Sequence, residues 1–124
     1  MKKIKILIAE DEAIVAQYMT MELELEGYEV CCYVATGEEA IQATKKHKPD
    51  LILMDINLIG KYDGIETAEK ILEFKSDIKL IFMTGYSRLE ITERAKRLNP
   101  LGYFNKPLEV DLIQSIIEKA FSEK

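Results

Sequence analysis

The chain has 124 residues, 48% hydrophobic and 31% charged, a length and balance that suit one compact globular domain. Its net charge of −5 argues against direct nucleic-acid binding, which needs a basic face. No apolar run approaches the roughly 20 residues that span a bilayer. The opening MKKIKILIAEDE turns acidic too soon for a signal peptide, so the expected location is cytoplasmic, with no membrane partner.

In chain order, KIKILIAE (3–10) predicts a first strand. Ala13, Ile14, Tyr18, Met21 and Leu25 recur at helical spacings and predict a helix with an apolar stripe, ended by Gly27 as a left-handed cap. Met19 and Met21 are read as packing residues. YEVCCYVA (28–35) predicts strand two. It holds both cysteines, Cys31 and Cys32. Neighbours on a strand face opposite sides and rarely bridge, and a single histidine leaves no Cys/His zinc set. Both are therefore read as packing residues in a reducing compartment.

GEEAIQATKKHK (37–48) predicts an amphipathic helix with acids in its first turn and bases in its last, stopped by Pro49. Strand three is placed at 51–54. A loop with Gly60 and Gly64 leads to a helix at 65–75, and strand four comes next at 78–84. A helix at 88–98 is closed by Asn99 and Pro100. Strand five is GYFN (102–105), and the last helix spans 109–121. Strands three and four are apolar on consecutive residues, as strands covered on both faces are. Five strand–helix units predict a three-layer α/β fold, one domain over 1–124 without internal repeats.

In open parallel sheets, function gathers beyond the carboxyl ends of the strands. Glu10, Asp11 and Glu12 come after strand one, Asp55 after strand three, Thr84 and Gly85 after strand four, and Lys106 after strand five. Carboxylates about 5 Å apart repel by roughly 3 kcal/mol at an effective dielectric near 20, so such a cluster needs a cation. Oxygen ligands without His or Cys favour Mg²⁺. A metal, the Lys106 amine and the Thr84 hydroxyl around Asp55 describe a phosphoryl-binding site with Asp55 as nucleophile. Taken singly, each residue reads as an ordinary turn or cap residue. Their coincidence at matching strand ends carries the functional reading. Glu12 is expected only to cap helix one.

These residues resemble a response-regulator receiver domain, the phosphoacceptor half of two-component signalling, over essentially the whole chain. ILIAEDE (6–12) is similar to the family's acidic pair, LILMDINL (51–58) to its phosphoacceptor strand and DGIE (63–66) to the turn opening its third helix. IFMTGY (81–86) and GYFNKP (102–107) are similar to its Thr-ending strand and its aromatic with Lys-Pro. The resemblance implies a doubly wound (βα)5 fold with a five-stranded parallel sheet in the flavodoxin-like order 2-1-3-4-5. It implies Asp55 as phosphoacceptor and Mg²⁺ as cofactor. Asp11 and Asp55 would bind the metal directly, Asn57 through its backbone carbonyl and Glu10 through water. Lys106 would pair with the phosphoryl oxygens. Thr84 and Tyr103 would be the switch pair, and Gly85 would leave the acceptor open. Asn57 and Tyr86 would tune the lifetime of the phosphorylated state.

The implied partners are a sensor histidine kinase or phosphotransfer protein as donor and a downstream protein target. The target is met through helix four, strand five and helix five, with homodimerisation on phosphorylation left open. Such a protein is a signalling switch, not a metabolic enzyme; it catalyses only its own phosphorylation and slow dephosphorylation. INLIGKYDG lacks the family's usual proline and is read as one residue longer than the common form, so a different loop path is expected. No output domain comes after Lys124, which leaves open action by protein contact alone or a segment of a larger chain. A flavodoxin-like cofactor binder would need a Gly-, Ser- or Thr-rich loop where AEDEAIV stands. A Mg²⁺-dependent phosphatase would need a general acid and a substrate pocket that this short chain does not display. A degenerate receiver that only binds a partner is the remaining alternative, and the intact Asp55, Asp11 and Lys106 oppose it.

Overall fold

The computed structural model describes residues 3–85 and 88–122. Strands and helices alternate as β1 (Lys5–Ala9), α1 (Ala13–Leu25), β2 (Glu29–Val34), α2 (Gly37–His47) and β3 (Leu51–Asp55). They continue as α3 (Gly64–Phe74), β4 (Lys79–Thr84), α4 (Leu89–Lys96), β5 (Gly102–Asn105) and α5 (Val110–Ser122). The five strands are all parallel, in the order β2-β1-β3-β4-β5. This is the expected doubly wound order, and element ends differ from expectation by a residue or two. One boundary matters for function: β3 runs through Asp55, so the carboxylate stands on the last residue of the ladder.

Two apolar layers sandwich the sheet. One packs Leu7, Ile52, Met54 and Phe82 against α2, α3 and α4. The other packs Ile6, Ile8, Leu53 and Ile81 against α1 and α5. Every residue of β3 is buried, which is why its sequence is apolar without alternation.

Local signals explain the helix ends. In α1, Tyr28 N–H donates to Leu23 O at 3.2 Å and Gly27 N–H to Glu24 O at 3.0 Å, a Schellman closure with Gly27 at φ +97°. Lys48, at φ 53°, makes the corresponding turn after α2, just before Pro49. Asp63 and Glu66 form a reciprocal capping box at the start of α3. Thr36 caps α2 by accepting from Glu39 N–H.

The apolar stripe expected in α1 lies outward. Ile14, Tyr18, Met21 and Leu25 are 82, 53, 55 and 76% exposed, whereas Ala16, Met19 and Leu23 are buried. The helix is apolar on more than one face, so spacing alone does not select the inward one. Ala16 is small enough to let the helix approach the sheet. Met19 packs as expected and Met21 does not.

Gly64 opens α3 hard against the end of β3. A Cβ there would collide with the Asp55 carbonyl oxygen and lie 2.8 Å from Ile56 Cα. Its N–H already donates to Ile56 O at 2.9 Å. Gly64→Ala must therefore displace the α3 start or the backbone of Asp55. The expected cost is about 1–3 kcal/mol by urea unfolding, with amide shifts centred on residues 55–57. An unchanged midpoint and unchanged shifts would contradict this close approach.

Candidate functional site

The sheet order places β1, β3, β4 and β5 side by side, so their carboxyl ends share one edge. Backbone bonds carry the register past the strands. Glu10 N–H donates to Val34 O at 2.9 Å, Ile56 N–H to Met83 O at 2.8 Å and Lys106 N–H to Thr84 O at 2.8 Å. The Lys106–Pro107 peptide bond is cis.

Lys106 is the centre of the site. Its ammonium donates to Glu10 Oε1 at 2.9 Å and Asp55 Oδ2 at 3.1 Å, and lies 3.5 Å from Glu12 Oε1. An ammonium has three donors, and here each has a carboxylate. Glu10 and Asp55 are each 1% exposed. Buried carboxylates persist as ions only with close cationic or hydrogen-bonding partners. Asp55 has both: Oδ1 accepts from Asn57 N–H at 2.9 Å while Oδ2 faces Lys106. Glu10 Oε2 accepts from Glu12 N–H at 3.0 Å.

Burial sets the electrostatics. The Glu10 carboxyl is pushed from 4.5 up to about 7, chiefly by burial and further by Asp55, against the bonds from Glu12 N–H and Lys106. Burial works to lower the Lys106 value, but the bonds to Glu10 and Asp55 outweigh it and hold the amine above the ordinary lysine range.

Glu10, Asp11 and Asp55 each offer an oxygen, all within 4.8 Å of one another. The donors are hard oxygens without nitrogen or sulfur, and Asp11 is only half-buried. This set fits Mg²⁺.

The switch residues expected from the sequence stand on neighbouring strands, Thr84 on β4 and Tyr103 on β5. Thr84 is buried at the end of β4, and its hydroxyl donates to Asn57 Oδ1 at 2.8 Å. Tyr103 is half-buried against the α4-side layer, its hydroxyl 3.1 Å from Thr92 Oγ1 on α4. Thr92 Oγ1 also lies 3.1 Å from Arg88 O; it donates there and accepts from Tyr103. Gly85 is exposed, with nothing within 4 Å of where a Cβ would stand. Tyr86 lies outside the described residues.

Three features escaped the sequence reading. Glu12 stands at the N-cap position of α1 but its side chain makes no cap bond; it turns to Lys106 instead, correcting the capping role expected of it. A run of three acids does not say which of them faces the site. The Asn57 side chain accepts from the Thr84 hydroxyl, a contact beyond the metal and lifetime roles expected of Asn57. Thr92 engages Tyr103 from another element, and no local motif announces that contact.

The response regulator receiver domain family matches residues 6–118. Transcriptional regulatory protein PdtaR of Mycobacterium tuberculosis H37Rv is 34% identical over 118 residues, 95% of this chain and 57% of that protein. The chain thus spans a little over half the length of that relative. Sporulation initiation phosphotransferase F of Bacillus subtilis 168 is 32% identical over 115 residues, 93% of this chain and 91% of that protein. Among solved structures, the signal receiver domain of a modulated diguanylate cyclase from Desulfovibrio desulfuricans G20 superposes with a TM-score of 0.90 at 36% identity, covering 98% of this chain and 95% of that one. A CheY-like receiver domain protein from Methanospirillum hungatei JF-1 superposes with a TM-score of 0.85 at 32% identity, covering 95 and 94% of the two chains. A sheet edge that gathers three acids and a lysine, a fold in the order 2-1-3-4-5 and this match along nearly all its length lead to one conclusion: the chain belongs to the response regulator receiver domain family of two-component signalling.

Proposed function

We propose that Asp55 accepts a phosphoryl group from a phosphohistidine on a partner kinase or phosphotransfer protein, with Mg²⁺ held by Asp11 and Asp55, by Glu10 through water and by the Asn57 carbonyl. The observation that carries this is the shared grip of Lys106 on Glu10 and Asp55 at the end of a fully buried strand. An Asp55 carboxylate oxygen attacks phosphorus as the N–P bond of the donor breaks. The divalent cation supplies charge neutralisation for the entering group. Lys106, attracted by the arriving phosphoryl oxygens, turns towards them from its carboxylate partners. β3 supplies the rigidity that fixes the nucleophile, so catalysis here is positioning and charge compensation.

The phosphoryl group brings about −2 of charge. That charge draws the Thr84 hydroxyl from Asn57 and frees Tyr103 to move from Thr92, shifting the population towards an altered α4–β5–α5 surface. The exposed residues of α4 and its two caps, Arg88, Leu89, Glu90, Glu93, Lys96 and Arg97, give that surface polar and apolar contact points for a target. The outward stripe of α1 begins directly after the acid cluster. It gives a donor helix an apolar face to lie on beside the acceptor.

Incubation with acetyl phosphate and Mg²⁺, then intact mass spectrometry, is expected to add one phosphoryl group to the wild type and none to Asp55→Asn. Uptake by Asp55→Asn at the wild-type rate would overturn the acceptor assignment. No uptake by wild type that binds Mg²⁺ would favour either a partner-binding module without phosphotransfer or a strict need for its own kinase. Lys106→Ala should keep Mg²⁺ binding yet lose the phosphorylation-dependent amide shifts in α4 and β5. Wild-type shifts in that variant would remove Lys106 from the switch.

Without metal, the raised Glu10 value sets a sign for stability. The folded state holds the Glu10 proton more tightly than the unfolded chain, so ionising Glu10 costs stability as pH rises from about 4.5 to about 7. The charged groups around it are Asp11, Glu12, Asp55 and Lys106, and Lys106 stays charged throughout. In metal-free buffer the wild type should lose stability relative to Glu10→Gln across that window. Mg²⁺ should reduce the loss, read from thermal midpoints. Parallel pH profiles for the two proteins would contradict it.

A further inference from the structure

The strand-two cysteines do not alternate. The register pairs Ile6 with Val30 but Leu7 with Cys32, so Cys31 is the extra residue of a β-bulge. The bulge cancels the usual reversal of face. Cys31 and Cys32 both pack on the layer shared with Leu7 and Ala40, whereas Val30 packs on the other. This corrects the expectation that adjacent cysteines point apart. Their sulfurs lie 3.9 Å from each other, both residues are half-buried, and β2 is the outer strand of the sheet. Neither thiol has a part in the phosphoacceptor site.

We propose that Cys31 and Cys32 form a vicinal dithiol that chelates one trivalent arsenical, a soft centre bound by two sulfurs at once. Adjacent Cα atoms across a trans peptide are about 3.8 Å apart, below the roughly 4.4–6.8 Å of ordinary disulfides, so a direct S–S bond is disfavoured. A bridging atom has no such requirement. Zinc in a structural site takes four ligands, and the chain offers no further cysteine and only one histidine, His47. Soft sulfur donors in a pair suit a soft centre that keeps one substituent of its own.

The step balances without redox change. A phenylarsenous acid, C₆H₅As(OH)₂, loses both As–O bonds as two As–S bonds form. The two thiol protons leave with the hydroxyls as two waters, and arsenic stays trivalent. Burial, and further the neighbouring Cys32, push the Cys31 thiol up to about 12, so Cys31 rests as S–H and gives up its proton as its As–S bond forms.

The test uses the reduced full chain with phenylarsine oxide, which hydrates to that acid, read by intact mass spectrometry. One phenylarsenic adduct per chain is expected, surviving excess 2-mercaptoethanol and stripped by ethanedithiol. Cys31→Ser and Cys32→Ser, with circular dichroism showing a retained fold, should each lose the adduct in 2-mercaptoethanol. An adduct removed from wild type by the monothiol would overturn the proposal without recourse to a variant. An adduct that persists in either single-cysteine protein would also overturn it.

Discussion

Three carboxylates around one ammonium is the constraint on which the rest of this sheet edge depends. Glu10 and Asp55 are buried, and an uncompensated buried carboxylate costs several kcal/mol. Lys106 offsets that cost, and its reach decides where β5 must end. The backbone bond from Lys106 N–H to Thr84 O holds that end beside β4, and the sheet order then brings it within reach of β1 and β3. A different strand order would leave the same residues as scattered surface charges.

The same arrangement explains why β3 is built as it is. A strand buried along its whole length has little freedom to yield when charge gathers at its tip. Gly64 adds to this, because only a residue without Cβ lets α3 start against the Asp55 backbone. Asp55 is thus fixed from behind by the core and from the side by a helix start, while Gly85, just past the end of β4, has open space around it.

Much of this was legible in the chain. Consecutive apolar residues marked β3 and β4 as doubly covered strands. Once the strands are taken as parallel, the polar residues at their carboxyl ends, Glu10, Asp11, Asp55, Thr84 and Lys106, must share one edge. The features that stayed hidden had a common physical origin. α1 is apolar around more than one face, so Ile14, Tyr18, Met21 and Leu25 carried the helical period without carrying its direction. A bulge at Cys31 shifts facing by one residue, and alternation rules assume there is none. Glu12 and Thr92 act through partners distant in sequence, Lys106 and Tyr103, and no local spacing encodes such a contact.

In the proposed mechanism, these hidden contacts set the resting state. Both Asp55 oxygens are engaged, the Thr84 hydroxyl is held by Asn57, and Tyr103 is held by Thr92. A neutral hydrogen bond contributes about 0.5–1.5 kcal/mol net, so releasing Thr84 and Tyr103 costs roughly 1–3 kcal/mol. Lys106 exchanges its carboxylate partners for the phosphoryl group, and the new bond from Thr84 to that charged group, about 1.5–3 kcal/mol, is comparable with the cost. The two states therefore lie close in free energy, and a modest preference of the phosphoryl group for one of them shifts the population. A switch built this way returns when the phosphoryl group leaves, because the contacts with Asn57 and Thr92 are still there to be remade.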